Sequence, residues 1–437
     1  MVSKHQYVNI SLMKSLKDIR HVHCIGIGGI GVSAIARMMI HEGKTVSGSD
    51  GGESKVTEGL RDIGIEVSIG HKKENIPVNT DLIVYTGAIP VDNEELLEAK
   101  ERSIETLLYS QMLGLISKDK RTVAISGTHG KTTTTGMIAK ILIDCGLSPT
   151  VIVGSLLKEY NSNFVSGDSD IFVVEACEYL RSFLELNPNI TVITNIDADH
   201  LDYYKDLDDI KDTFSTFVDK LKEDDHLIIH SGQKNLDEIS KKENTNIHSI
   251  DDFDIEVGVP GNHNKENARL AYEVAVILGC KDEDIRKSLK EFSGTWRRFE
   301  HKGETKNGAI VYDDYAHHPE EVRATIEAAR EKFGDKKIMV VFQPHLYSRT
   351  KIFLDDFAEV LSSADEVLVL PIYAARESED GSIDSGMLVE KIGEKAKLFK
   401  DPEGVKEYIS KNTDGDDIIF TIGAGDVTLI SNDIVKS

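Results

Sequence analysis

The chain has 437 residues, of which 40% are hydrophobic and 29% charged, a globular composition that excludes disorder as the main state. At roughly 150 residues per domain, that length holds about three domains. Its 51 Lys and Arg against 75 Asp and Glu leave a net charge of −24, a field that repels nucleic acids and anionic lipid surfaces.

The first third alternates short apolar runs, at 21–29, 44–50, 65–70 and 81–89, with amphipathic stretches. Over 32–43 the residues Ile35, Met38 and Met39 share one helical face, and Gly43 marks the stop. This is the rhythm of a parallel sheet with crossover helices. A second series begins at 121–127 and continues through 171–176, 190–196 and 226–231. A third begins at 309–316 and continues through 337–345, 366–374 and 417–426. Each series restarts with a strand and a special loop. The expectation is an α/β chain of three domains, 1–119, 120–298 and 299–437, with Rossmann-like outer domains and a phosphate-loop ATPase in the middle. The acidic stretch 206–225 reads as a solvated helix face.

An anionic substrate of so acidic a chain needs local cations, backbone N–H groups or a metal. Cys24, Cys145, Cys177 and Cys280 form no C-x-x-C pair, which fits a reducing compartment. Residues 1–20 lack the apolar core of a secretory leader, and no apolar run approaches the roughly 20 residues that span a bilayer. A cytoplasmic enzyme is expected.

Gly26-Ile-Gly28-Gly29-Ile-Gly31 follows a strand and opens a helix. Glycines in a G-x-G-x-x-G loop let backbone approach a pyrophosphate at the helix N-terminus. Asp50 ends the next strand, where a carboxylate can meet a ribose hydroxyl. By itself the motif leaves a dinucleotide, another nucleotide or a purely structural turn open.

Gly127-Thr128-His129-Gly130-Lys131-Thr132-Thr133 also joins a strand to a helix. It is a phosphate loop in the shortened form G-x-x-G-K-T. Backbone N–H groups cradle β- and γ-phosphates, Lys131 neutralises them, and Thr132 offers a hydroxyl to Mg²⁺. ATP is expected here. Glu175, Glu178 and His200 lie near the carboxyl ends of the following strands, beside that loop. A carboxylate with an imidazole there can hold a phosphate-bridging Mg²⁺, or His200 can be a mere neighbour of a helix cap.

Downstream, the run 261–268 opens a helix; its His263, Asn264 and Asn267 can read an adenine edge, or Asn262 and Asn264 can simply cap it. Arg298, Asp314, His317, His345 and Arg349 then crowd two strand ends, as at a site edge.

Taken in order, GIGGIGVSAIARM, SGTHGKTTTTGM, VVEACEY, TNIDADHLDYY, GNHNKENA, GTWRRFE, YDDYAHHPEEV, FQPHLYSRT and TIGAGD resemble the Mur ligase family over nearly the whole chain. The resemblance implies an N-terminal UDP-sugar domain, a central ATPase and a C-terminal amino-acid domain. It implies ATP-dependent joining of L-alanine to the lactyl carboxylate of UDP-N-acetylmuramate through an acyl phosphate, in peptidoglycan synthesis.

The glycine loop of Gly26, Gly28, Gly29 and Gly31 then holds the UDP pyrophosphate, with Ser49 and Asp50 near the uridine. Lys131, Glu175 and His200 become the catalytic set, and Thr132, Glu175 and His200 the Mg²⁺ ligands. ATP contacts fall on Gly127, Thr128, His129, Gly130, Lys131, Thr132, Thr133, His263, Asn264, Asn267, Arg298 and Asp314. His317, His345 and Arg349 receive the amino acid. One departure is Leu346, where many members carry Arg. No lysine here is assigned to the carbamylated position of several relatives.

Two other activities compete: recycling ligation of a ready-made peptide to the same sugar nucleotide, and NAD-dependent hydride transfer. With the site split between two domains, the third must close over the second about a hinge near 296–300. A ligand-free chain is expected to be open, with Lys131 and Arg349 too far apart to share a substrate.

Overall fold

The computed structural model describes residues 16–436 except 202, 234, 237–238, 240–244, 376 and 380. Residues 1–15, where no secretory leader is expected, and Asp202 lie outside the described residues.

The strand–helix alternation builds three sheets. In the first, five parallel strands run in the order Glu66–Ile69, Thr45–Asp50, His21–Ile25, Leu82–Tyr85, Glu105–Leu108. The central strand His21–Ile25 is buried at every position, as a parallel strand covered on both faces must be. The glycine loop leaves its carboxyl end and enters the helix Ile30–His41.

The second sheet has seven strands, ordered Asn246–Ile250, His226–His230, Ile190–Ile193, Arg121–Ser126, Ile171–Glu175, Thr150–Leu157, Ser162–Val165. Only its last pair is antiparallel. The phosphate loop leaves Arg121–Ser126 between the strands that carry Glu175 and Thr194–Asn195, so these groups converge at one sheet edge. The third sheet has six strands: Glu300–Glu304, Ile310–Asp314, Ile418–Ile422, Ile338–Phe342, Glu366–Val369, Ala396–Leu398. Its first pair is antiparallel and the rest parallel.

The apolar clusters divide the molecule unequally. One runs without a break from the first sheet into the second, joining Ile35 and Met39 to Phe172, Phe183 and Phe214. Another, with Met137, Leu270 and Val274, stays within the middle unit. Those of the last unit, built on Phe342, Phe357 and Phe420 and on Val341, Ile419 and Ile430, contain residues from Phe299 onward alone.

Several local expectations resolve here. The acidic stretch forms the helix Leu207–Val218, which buries Ile210, Phe214 and Phe217 and is capped by Asp206. His200 is therefore no cap neighbour. The helix Asn262–Ile277 has Gly261 at its N-cap and no side-chain cap, so neither Asn262 nor Asn264 caps it.

Candidate active site

The phosphate loop is fixed by its glycines and by the neighbouring strand end. Gly127 has φ 128°, and a Cβ there would sit 2.1 Å from Thr194 Oγ1. Gly130 has φ 84°, and its Cβ would sit 2.5 Å from Asn267 Oδ1. Only glycine fits either place. Thr128 N–H donates to Asn195 O at 3.0 Å. His129 N–H donates to Asn195 Oδ1 at 2.9 Å, and Asn195 Nδ2 returns a bond to His129 O at 3.0 Å. Those amides are spent on shaping the loop. The amides of the first turn of helix Lys131–Asp144 have no intrahelical acceptor, and no side chain caps them. They remain for an anion.

Lys131 Nζ donates to Gly127 O at 2.5 Å, Thr128 O at 3.1 Å and Glu178 Oε1 at 3.0 Å. Burial works against its charge, but the Glu178, Cys177 and Glu175 groups outweigh it and push the ammonium pKa up. Thr132 Oγ1 lies 3.1 and 3.0 Å from the two oxygens of Glu175. Glu175 also accepts from Gly154 N–H at 2.8 Å.

Two acids face His200 Nε2, Glu178 and Asp199, each at 3.8 Å. The sequence flagged Glu178 without a role; its proximity to Lys131 appears only after the chain turns at Leu180 and Arg181. These two and His200 all have positive φ, at 54°, 58° and 54°, backbone strain of the kind that gathers at functional sites. The second oxygen of Glu178 is buried, 3.0 Å from the Lys131 ammonium, yet takes no directional hydrogen bond.

The last unit closes over this edge. A cavity of about 590 Å³ lies between them. It is lined by His129, Gly130, Thr132 and Thr133 from the loop, by His263, Asn264 and Asn267, and by Arg298 and Asp314. Burial pushes the Asp314 carboxyl up to about 6, against the Arg298 charge. It accepts from Phe299 N–H and Ala316 N–H, both at 2.8 Å. Burial pushes His263 down to about 4, aided by Arg298.

Glu321, absent from the sequence-derived set, is the hub of the seam. It lies 3.6 Å from His129 Nδ1, 3.5 Å from Arg298 Nη1 and 3.3 Å from His317 Nδ1. Burial opposes its charge, but His317, His129 and Arg298 hold it well below the usual carboxylate range. Its signal in the sequence was the capping pattern at the start of helix Pro319–Phe333, which conceals the reach across the seam.

His317, His345 and Arg349 form an adjoining group. Arg349 Nη1 is 3.4 Å from His345 Nδ1, and the His317 and His345 rings are 5.8 Å apart. Arg349 Nη2 pairs with Asp199 Oδ1 of the middle unit at 3.0 Å. Burial pushes His317 down to about 4 against the pull of Glu321. The expected open arrangement is thus corrected. The structure is closed, because opposite charges meet across the seam.

The glycine loop of the first unit turns on Gly26, with φ 75°. Gly26 and Ile27 N–H donate to Ser49 O at 2.8 and 2.9 Å. Gly28 N–H donates to Asp50 Oδ2 at 2.8 Å, so Asp50 braces the loop. Gly29 N–H bonds Gly26 O at 3.1 Å. A Cβ on Gly31 would strike the Tyr109 ring at 2.7 Å. Ser49 is fully buried and its hydroxyl donates to Glu95 at 2.6 Å, so it shapes the floor of the site. Burial and the nearby Glu175 push the Tyr109 phenol up.

Comparison with known proteins bears on this arrangement. Residues 21–121 match the Mur ligase family catalytic domain, 125–252 the Mur ligase middle domain, and 297–425 the Mur ligase glutamate ligase domain. The chain is 43% identical to a UDP-N-acetylmuramate–L-alanine ligase of Clostridium botulinum, over 93% of this chain and 96% of that one. It is 40% identical to a ligase of the same name from Acetivibrio thermocellus, over 95% and 96%. Among solved structures it resembles a UDP-N-acetylmuramate-alanine ligase of Thermotoga maritima, with TM-score 0.82 and 27% identity over 96% of this chain and 98% of that one. A murein peptide ligase of Psychrobacter arcticus shares the fold, at TM-score 0.72 and 21% identity over 95% and 98%.

Proposed function

The chain belongs to the Mur ligase family, and from that premise we infer that it joins L-alanine to the lactyl carboxylate of UDP-N-acetylmuramate at the expense of ATP, in peptidoglycan synthesis. A carboxylate is a poor electrophile at neutral pH. Its oxygen attacks the γ-phosphorus, ADP leaves, and the acyl phosphate now has a good leaving group. The alanine nitrogen, as the free amine after its ammonium has given a proton to solvent, attacks the carbonyl carbon; the C–O bond breaks, inorganic phosphate departs and a second N–H proton is released. The observation that carries this reading is the shared cavity: the phosphate loop supplies one wall, and Arg298, Asp314 and Glu321 supply the other.

In this reading residues 1–119 hold the sugar nucleotide, 120–298 the ATP and 299–437 the amino acid. The glycine loop at 26–31 receives the pyrophosphate. Lys131 and the amides after Gly130 carry the γ-phosphate charge, His263, Asn264 and Asn267 face the adenine, and Arg298 and Asp314 close on the nucleotide. His317, His345 and Arg349 receive alanine.

The donor set suits Mg²⁺. Thr132, Glu175 and Glu178 supply hard oxygens, one of them a buried carboxylate oxygen without a hydrogen bond, and His200 adds an imidazole. Among the described residues no three His, Cys, Asp or Glu side chains form a metal cage, and Mg²⁺ is commonly held by one or two carboxylates with waters and substrate phosphates. Bound there, Mg²⁺ would lower the repulsion between the two anions that must meet.

Among the described residues no helix is long and apolar enough to cross a membrane. We place the reaction in the cytoplasm, where ATP and UDP-sugars are found. The test is phosphate release with ATP, Mg²⁺, UDP-N-acetylmuramate and L-alanine, omitting each in turn. Equal release without the sugar nucleotide would sink the assignment, and an NAD-dependent change at 340 nm would favour the dehydrogenase.

A further inference from the structure

We propose that the buried Asp199–Arg349 pair is the receptor for the complete α-amino-acid zwitterion: Arg349 takes the carboxylate and Asp199 the ammonium. The inference rests on the amino-acid role given above to Arg349. It adds a binding residue from the middle unit and a physical reason for refusing peptides.

Arg349 Nη2 and Asp199 Oδ1 are 3.0 Å apart, and the two residues are 8% and 9% exposed. They come from opposite sides of the seam, Asp199 from the loop after Ile190–Ile193 and Arg349 from the short helix Tyr347–Ile352. A buried ion pair is weak evidence for stability, because desolvation offsets most of its attraction. It is a strong preparation for a ligand of the same charge pattern.

An α-amino acid carries an anion and a cation on neighbouring atoms. Inserted between Asp199 and Arg349, it exchanges one ion pair for two. Neither protein charge is left buried and alone, and net charge does not change. A simple anion or a simple cation would strand one partner.

The surroundings set the orientation. Asp199 Oδ1 also accepts from His200 N–H at 2.7 Å, and His200 faces Glu178, which holds Lys131. The ammonium end therefore lies toward the phosphate loop, where the acyl phosphate forms. The carboxylate end lies toward the last unit, where His345 rests on Arg349 and stacks on Tyr373 at 5.7 Å. Leu346, buried and with φ 70°, adds no second cation, so one guanidinium answers one carboxylate. A peptide has an amide where that carboxylate should be and would leave Arg349 unpaired. Sites built to pair a polar group reject analogues that lack it by orders of magnitude.

The experiment compares the wild type with Asp199→Asn, Asp199→Glu and Arg349→Met by phosphate release, varying each substrate. Propionate and L-alaninamide serve as competitors, the first carrying only the carboxylate and the second only the ammonium. Asp199→Asn should raise the KM for L-alanine about a hundredfold and change those for ATP and UDP-N-acetylmuramate by less than about threefold. Neither propionate nor L-alaninamide should compete well in the wild type, because each strands one partner; Asp199→Asn should gain competition by propionate alone, and Arg349→Met by L-alaninamide alone. Asp199→Glu should recover part of the alanine affinity. An unchanged alanine KM in Asp199→Asn overturns the proposal, as does a parallel rise for all three substrates, which would mean that the pair merely latches the units. Failure of the wild type to release phosphate with alanine would instead overturn the functional reading beneath it.

Discussion

Lys131 is a cation held ready by protein groups, with its ammonium on two loop carbonyls and on Glu178. A preorganised charge of this kind faces developing phosphoryl charge without reorganisation cost. Lys131→Ala should therefore lower kcat at least about a hundredfold and also lower the thermal midpoint, because it leaves the buried Glu178 carboxylate without its cation; a variant whose kcat stays within a few-fold of wild type would remove it from the site. The seam histidines give a pH signature. His263 and His317 titrate at about 4 when folded, against 6.5 for an ordinary imidazole. Between those values the unfolded chain binds more protons, so stability falls as pH drops from about 6.5 to about 4, by on the order of 3 kcal/mol at most per residue. Asp314, raised to about 6, works in the opposite direction, because its proton is held more tightly in the fold. Thermal midpoints across that range should show a shallower acid slope for His263→Gln than for the wild type; identical slopes would refute the assignment. Lys131, His263 and Arg349 were legible because a short motif fixes each one. Glu321 and Asp199 were not, because their partners lie across the seam, 192 and 150 residues away for Glu321–His129 and Arg349–Asp199.

At the scale of elements, the phosphate loop is a product of two strands. Its own sequence supplies the glycines and the lysine, but its shape is imposed by Thr194 and Asn195 at the end of the neighbouring strand. Gly127→Ala places a methyl 2.1 Å from Thr194 Oγ1 at φ 128°. It should cost about 2 kcal/mol or more in stability and abolish ATP binding. Denaturant unfolding and nucleotide titration check both, and a stable, ATP-binding variant would show that the loop geometry is wrong. The same reasoning explains Asn195. Its side chain bonds the N–H and the carbonyl of His129. The glycine loop at 26–31 repeats the pattern, since Asp50 from the adjacent strand pins Gly28. In both loops the sequence announced an anion site, and the partner strand set its form.

In the whole molecule, the first and middle units share an apolar cluster, whereas the clusters of the last unit end at Phe299. The seam between middle and last is carried by charged contacts: Asp199–Arg349, His129–Glu321, and Arg298 on Glu321. Its linker includes Arg297 and Phe299 at positive φ, 56° and 48°. Polar interfaces between domains permit relative motion, and charge contacts weaken with salt. The last unit is therefore the one expected to move relative to the other two. The radius of gyration should rise on going from low to high salt. It should fall again when a non-hydrolysable ATP analogue and UDP-N-acetylmuramate are added. A radius indifferent to both, in a fully active protein, would contradict a mobile last unit.

By itself the sequence determined the α/β class, the restarts of the strand pattern, the two anion loops and the family. Hydrophobic period, glycine spacing and the phosphate-loop tripeptide are local, and local interactions write themselves directly into the chain. The tertiary structure decided which groups meet: Glu178 and Asp199 against His200, Asp50 on its own loop, Glu321 at the seam, and Asp199 against Arg349. Those pairings depend on which strands become neighbours and on how one unit docks against another. No residue's own neighbours in sequence encode that choice, because it is the burial of whole faces that settles it.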